Sequence, residues 1–162
     1  MRYIWDMERD YLDNFNFIER NIAKIIFPLI KKWDVGTARK VDTIIVNSNF
    51  VNLRVKKFWN RESDIVHPPV NIDDFYITNE AKDYYLILSQ LVHYKRIDIA
   101  INAFNKMNKK LIVIGEGEEL NLLKGKANNN IQFIGWQNEE NKREYLSACK
   151  ALIFPGIEDF GI

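Results

Sequence analysis

Cysteine, histidine, proline and glycine are scarce in this chain, at one, two, four and seven residues of 162. A single thiol, Cys149, cannot form a disulfide within the chain or anchor a cysteine-based metal site. Its Ala/Leu neighbours at an expected helix-to-strand junction make it a buried structural thiol, which points to a reducing compartment. His67 and His93 lie far apart without ligand-like spacing, so zinc has no support, and His67 is expected to pack near a linker. No apolar run reaches the ~18 residues that span a bilayer. Met1 to Asp6 lacks the apolar region of a signal peptide, so a cytoplasmic location is expected. Neither sign of charge dominates: 23 Lys and Arg meet 22 Asp and Glu, which gives no overall signal for nucleic acid.

What is present is ordinary soluble usage, 47% hydrophobic and 28% charged. Residues 1–33 carry helical periodicity, with Phe15, Ile18, Ile22, Ile25, Ile26, Leu29 and Trp33 at three- and four-residue spacings. Pro28 is expected to kink or divide that helix. Between Phe15 and Arg61, ten Lys and Arg face Glu19, Asp34 and Asp42, so this region is basic and the flanks are acidic. A basic amphipathic helix either packs on its own sheet or lies on a membrane surface. Packing is the expectation, because amphipathic helices usually serve cores.

Val41 to Asn47 reads as a short buried β-branched strand. Ser48 or Asn49 then caps a helix that places Val51, Val55, Phe58 and Trp59 on one side and Arg54, Lys56 and Lys57 on the other. Asp64 to His67 is a second strand, stopped by Pro68 and Pro69. Val70 to Lys82 has no strong period and reads as a linker. Further strands begin near Tyr84, Leu111, Ile131 and Ala151, with helical segments between them, and the clearest stripe is Ile97, Ala100, Ile101, Phe104 and Met107. Strands alternating with helices mean an α/β fold with a parallel sheet. The domains are expected at 1–77 and 78–162.

In a parallel sheet four strand exits feed one crevice: Ser89 to Arg96, Gly115 to Gly117, Gly135 with Trp136, and Gly156 to Ile162. Lys95 and Arg96 at a helix start suit a diphosphate. The glycines allow close backbone approach. Glu158 can accept from sugar hydroxyls, while the turn at Gly161 presents N–H groups. Gly115-Glu116-Gly117 has Leu120 where a dinucleotide fingerprint needs its third glycine, which argues against a nicotinamide site. Asp159-Phe160-Gly161 matches the kinase tripeptide without the other kinase motifs.

Leu88 to Asp98, Ile112 to Glu118, Phe133 to Gly135 and Phe154 to Ile162 together resemble the family 4 glycosyltransferases, most closely the mannosyltransferase-type branch of surface-polysaccharide synthesis. The likeness extends upstream through Met1 to Asp6, Trp33-Asp34, Val41-Asp42, Asn47-Ser48 and Pro68 to Val70. It implies a GT-B architecture: part of an N-terminal Rossmann-like domain, then an incomplete C-terminal Rossmann-like parallel sheet holding the donor. It implies retaining transfer of a hexose, such as mannose from GDP-mannose or another nucleoside-diphosphate sugar, to a saccharide or lipid-linked acceptor, without a metal or other cofactor.

By that resemblance Lys95 and Glu158 are the catalytic residues. They bind the donor together with Arg96, Gly115, Gly117, Trp136, Phe160, Gly161 and Ile162. Peripheral contact at the inner membrane face is a further expectation. Gln90 stands where the family often has arginine, and His93 where proline is frequent. The second glutamate of the family's motif would fall four residues beyond Ile162, and an acceptor-side segment would precede Met1, so the resemblance implies an internal, inactive fragment. Two readings from other classes are a nucleotide-sugar-binding module without catalysis and a Rossmann-like interaction domain for a membrane or partner.

Overall fold

The computed structural model describes residues 2–73, 75–76, 78 and 81–161, with only the backbone of Arg2 and Tyr3. It divides into two compact units, Met1–Pro69 with Asp159–Ile162, and Val70–Glu158. Asp74 and Asn79 of the expected linker, Met1 and Ile162 lie outside the described residues.

The first unit contains helices α1 (Arg2–Trp5), α2 (Glu8–Asn14), α3 (Phe17–Ala38) and α4 (Asn49–Trp59), with strands β1 (Ile45–Val46) and β2 (Asp64–Ile65). The two strands pair in parallel across α4, Ile45 opposite Asp64 and Val46 opposite Ile65. Ser48 caps α4, accepting from Val51 N at 3.1 Å. Asn60 ends that helix in the left-handed region that asparagine tolerates. Asn16 and Glu19 form a reciprocal capping box at the start of α3.

Three expectations fail in this unit. The N-terminal stretch is three helices, and α3 runs on through Pro28, so the proline does not divide it. A proline removes one N–H partner from a carbonyl a turn earlier. That carbonyl belongs to Lys24, on the exposed side of the helix, where water can serve it.

The second failure concerns the apolar stripe. Phe15 packs inward, but Ile18, Ile22, Ile25, Ile26, Leu29 and Trp33 are exposed, Ile25 by 71%. The buried face is a different one, Ala23, Phe27, Asp34 and Ala38, and its core includes Ile4. This helix has two apolar faces, and spacing alone does not say which one is covered.

Third, the strand expected over Val41 to Asn47 is two residues long and covered on one side, with Val46 buried and Ile45 67% exposed. The strand expected over Asp64 to His67 ends at Ile65. Buried Asp34 accepts from Trp5 Nε1 at 2.8 Å and Trp59 Nε1 at 3.0 Å, tying α1 and α4 to α3.

The second unit contains β3 (Tyr85–Leu88), α5 (Ile97–Met107), β4 (Leu111–Ile114), α6 (Leu120–Lys126), β5 (Ile131–Gly135) and α7 (Glu139–Ala148). The parallel sheet has the order β3-β4-β5, and Leu152 adds a parallel bridge to Leu86 on the free side of β3. Strand alternation feeds two cores. Ile87, Leu111 and Val113 meet Ile97, Ile101 and Phe104 of α5 and Leu123 of α6. Leu86, Ile112 and Ile114 face Ala148 of α7, with Tyr145 and Leu146 packed alongside. This is the mixed α/β, parallel, Rossmann-like architecture expected. Met107 alone of the α5 stripe is exposed.

Cys149 follows α7 half-buried rather than buried, its thiol donating to Leu146 O at 3.2 Å, and burial pushes its pKa up. Among the described residues no helix is long and apolar enough to cross a membrane.

Candidate functional site

The loops after β3, β4 and β5 are fastened to one another by their main chains. Ser89 N donates to Ile114 O at 3.1 Å, Leu91 N to Glu116 O at 2.9 Å, and Gly115 N to Gly135 O at 2.9 Å. Gly115 has φ +135, and a Cβ there would stand 1.9 Å from Ser89 O. A Cβ on Gly117 would stand 2.3 Å from Leu91 O. The close approach these two glycines permit is therefore to the chain's own neighbouring loop.

Beside the fastened loops lies a hollow of about 410 Å³ lined by Ser89, Gln90, Gly115, Glu116, Trp136, Gln137 and Lys142. Trp136 is 65% exposed, and the Lys142 ammonium stands 5.8 Å from the centre of its ring. Gln137 and Lys142 escaped the sequence reading, and Glu116 entered it only as the middle residue of a strand exit. Lys142 is six positions from Trp136, beyond the neighbour spacings of a single helix, and only the turn into α7 brings them together.

Lys95 ends a short 3₁₀ turn, His93–Lys95, immediately before α5. Its ammonium donates to Glu158 Oε1, 63 residues away along the chain, and the two side chains are only 18% and 22% exposed. The same ammonium lies 5.3 Å from the centre of the Tyr94 ring and 5.9 Å from that of Phe154. Gly156 rests against the main chain of Lys95, where an added Cβ would be 3.1 Å from Lys95 O. Both residues are expected at strand exits, and in the folded chain they are in contact.

The other expected site residues are distributed differently. Arg96, left-handed at φ 54, turns its guanidinium to Asp98 at 3.2 Å. Burial pushes the Asp98 carboxyl up, but the Arg96 hydrogen bond and charge outweigh this and hold it below the ordinary carboxylate value. Phe160 and Gly161 belong to the first unit, where Phe160 stacks on His67 with ring centres 5.4 Å apart and Gly161 has φ +80. Ile162 lies outside the described residues.

Arg54, expected with Lys56 and Lys57 on the side of α4 opposite its apolar residues, is largely buried. It pairs with Asp6 and, at 2.8 Å, with Asp159, whose carbonyl also accepts from Ser48 Oγ. No local pattern marks a charge whose partners lie so far along the chain.

A larger hollow of about 1050 Å³ runs along the α7 side of the second unit, where Lys82, Lys109, Lys110 and Lys150 gather with Asp83 and Glu144. It begins at residues preceding β3 and β4. Ligands of open α/β sheets bind at the carboxyl ends of the strands, so the smaller hollow is the better candidate. Among the described residues no group of three or more His, Cys, Asp or Glu could hold a metal ion.

Residues 71–162, more than half of the chain, match the family described as glycosyl transferases group 1. The chain belongs to that family. Solved structures agree on the fold. TarM of S. aureus is 20% identical with a TM-score of 0.62, covering 76% of this chain and 27% of its own. Alr3699/HepE of Anabaena is 14% identical with a TM-score of 0.65, covering 76% of this chain and 40% of its own. AviGT4, described as a glycosyltransferase of avilamycin A biosynthesis, is 13% identical with a TM-score of 0.56, covering 67% of this chain and 33% of its own. This group 1 glycosyltransferase chain thus has the fold of part of a GT-B, Rossmann-like architecture and spans well under half the length of these neighbours. No curated protein sequence matches it.

Proposed function

We propose that the carboxyl edge of the second unit is the donor site of a retaining hexosyltransferase. A nucleoside-diphosphate sugar, such as GDP-mannose, would give its hexose to a saccharide or lipid-linked acceptor without a metal. The observation that carries this reading is the contact of Lys95 with Glu158 at the end of the loop after β3, a loop that Gly115 and Gly117 allow to lie against the one after β4; neither residue of the pair lines the hollow of Trp136.

In this reading the Lys95 ammonium meets the diphosphate by charge-assisted hydrogen bonds, and Glu158 accepts from hexose hydroxyls. As the bond from C1 to the phosphate oxygen breaks, positive charge develops on the sugar and negative charge on the departing diphosphate, which Lys95 stabilises. The acceptor oxygen forms the new bond to C1, and its proton leaves with the diphosphate.

The neighbour structures support a nucleotide sugar in general. A mutant of TarM was solved with UDP, fondaparinux and a GlcNAc-bearing glycerol, and HepE with UDP and glucose. The base and sugar here are open to direct comparison. Calorimetric titration with GDP-mannose, UDP-glucose, GDP and UDP is expected to reveal binding, and Lys95→Ala to weaken it at least ~10-fold, equivalent to about 1.4 kcal/mol. Absence of binding by every nucleotide at millimolar concentration would sink the donor reading.

The uncovered stripe of α3 favours a second role, contact with an anionic membrane. Ile18, Ile22, Ile25 and Leu29 would enter the interface while Lys24 and Lys32 met headgroups. Co-flotation with phosphatidylserine vesicles, abolished by Ile25→Glu, is the expected result. No flotation of the unaltered chain would remove this role.

A further inference from the structure

The charge of Lys95 already has an anion beside it. Glu158 is held there by more than the ion pair itself, because Gly156 lies against the Lys95 main chain and the Phe154 ring flanks the ammonium. Tyr94 flanks it as well, so the directions from which another anion can reach Lys95 are restricted. An incoming diphosphate must therefore share Lys95 with the carboxylate or displace it.

The two forms of the nucleotide differ in how they tolerate that carboxylate. In a nucleoside-diphosphate sugar the terminal phosphate is esterified, carries one negative charge, and brings hydroxyls that can donate to Glu158. In the bare diphosphate the terminal phosphate has a second ionisable oxygen and no sugar hydroxyl to offer. A carboxylate that only accepts hydrogen bonds is compensated in the first case and repelled in the second.

We infer that Glu158, as the built-in counter-ion of Lys95, is the residue that makes this site discriminate between the nucleotide sugar and the bare nucleoside diphosphate. The inference rests on the donor-site reading and adds to it a direction. Removing the Glu158 charge should strengthen, not weaken, the binding of the bare diphosphate. It also gives Glu158 a part in product release, since loss of the hexose converts a compensated ligand into a repelled one.

The test titrates the full chain with UDP, UDP-glucose, GDP and GDP-mannose, in the unaltered protein and in Glu158→Gln, with thermal melting to establish folding. The expected result is a gain of ~10-fold for the bare diphosphates in Glu158→Gln, with the sugar nucleotides unchanged or weakened, so that the affinity ratio moves toward the bare form. In the double variant Lys95→Ala with Glu158→Gln the gain should vanish, because there is no ammonium left to unmask.

Unchanged or weaker diphosphate binding in Glu158→Gln, with Lys95→Ala still costing affinity, overturns the inference and leaves the donor site standing. Binding that ignores Lys95, or no binding at all, overturns the donor site and the inference with it. If Glu158→Gln does not fold, Glu158→Asp carries the same test, because the shorter side chain draws the carboxylate back from Lys95. A partial gain in that variant supports the inference, and none overturns it.

Discussion

Helices α3 and α5 bear similar apolar stripes and meet opposite fates. In α5, Ile97, Ala100, Ile101 and Phe104 press into a sheet whose strands also pack against α6. In α3, the stripe from Ile18 to Trp33 stands in the open while Ala23 and Phe27 on another face cluster with Ile4. The second unit has strands enough to supply cores on both faces of a sheet. The first has a two-stranded parallel sheet with one covered side, and parallel sheets are ordinarily buried on both. An apolar stripe is a capacity for burial, and the layers around it decide whether that capacity is used.

This contrast can be broken most decisively by truncating one residue from each stripe. Ile101→Ala is expected to cost about 2–5 kcal/mol, as large-to-small changes in closed cores do. Ile25→Ala, at a site 71% exposed, should stay within about 0.5 kcal/mol. Urea unfolding of the two variants measures both, and equal losses would show that the α3 stripe is covered in solution.

A smaller effect sharpens the account of the first unit, where polar bridging ties elements that have little apolar cover. Asp34→Ala leaves two indole N–H groups without their shared carboxylate, a loss of about 1–3 kcal/mol for groups unsatisfied on burial. Fluorescence of Trp5 and Trp59 should report the change. A variant as stable as the parent would mean that the helices are held by other contacts.

The smallest effect lies in the second unit and depends on pH. Asp98 has a folded pKa below its unfolded one, so its stabilising contribution is complete above the unfolded value, about 3.9. It is lost as pH falls through the folded value. The partly exposed pair with Arg96 limits that contribution to less than about 1 kcal/mol. Acid titration of stability should show a shallower slope below about pH 4 for Asp98→Asn than for the parent. Identical slopes would remove Asp98 from the acid response.

Much of the second unit was legible in advance. Strands near Tyr84, Leu111 and Ile131 and the α5 stripe follow from runs of four to eleven residues whose period is visible locally. The glycine turns were visible as well, but their physical reason was not. Gly115 and Gly117 serve the approach of one loop to another, a requirement set by residues more than twenty positions away. The burial of Arg54 is invisible in the sequence for a related reason, since it depends on partners, Asp6 and Asp159, that lie far along the chain.

Local order is a property of neighbours along the chain. Asn16, Ser48 and Asn138 cap helices, Asn60 and Asn108 end them, and alternating strands and helices demand a parallel sheet, all from short-range sterics and hydrogen bonding. Which face of α3 is covered, and that Lys95 faces Glu158 across 63 residues, are properties of neighbours in space. Burial and charge pairing depend on what stands opposite, and only the folded chain puts something there.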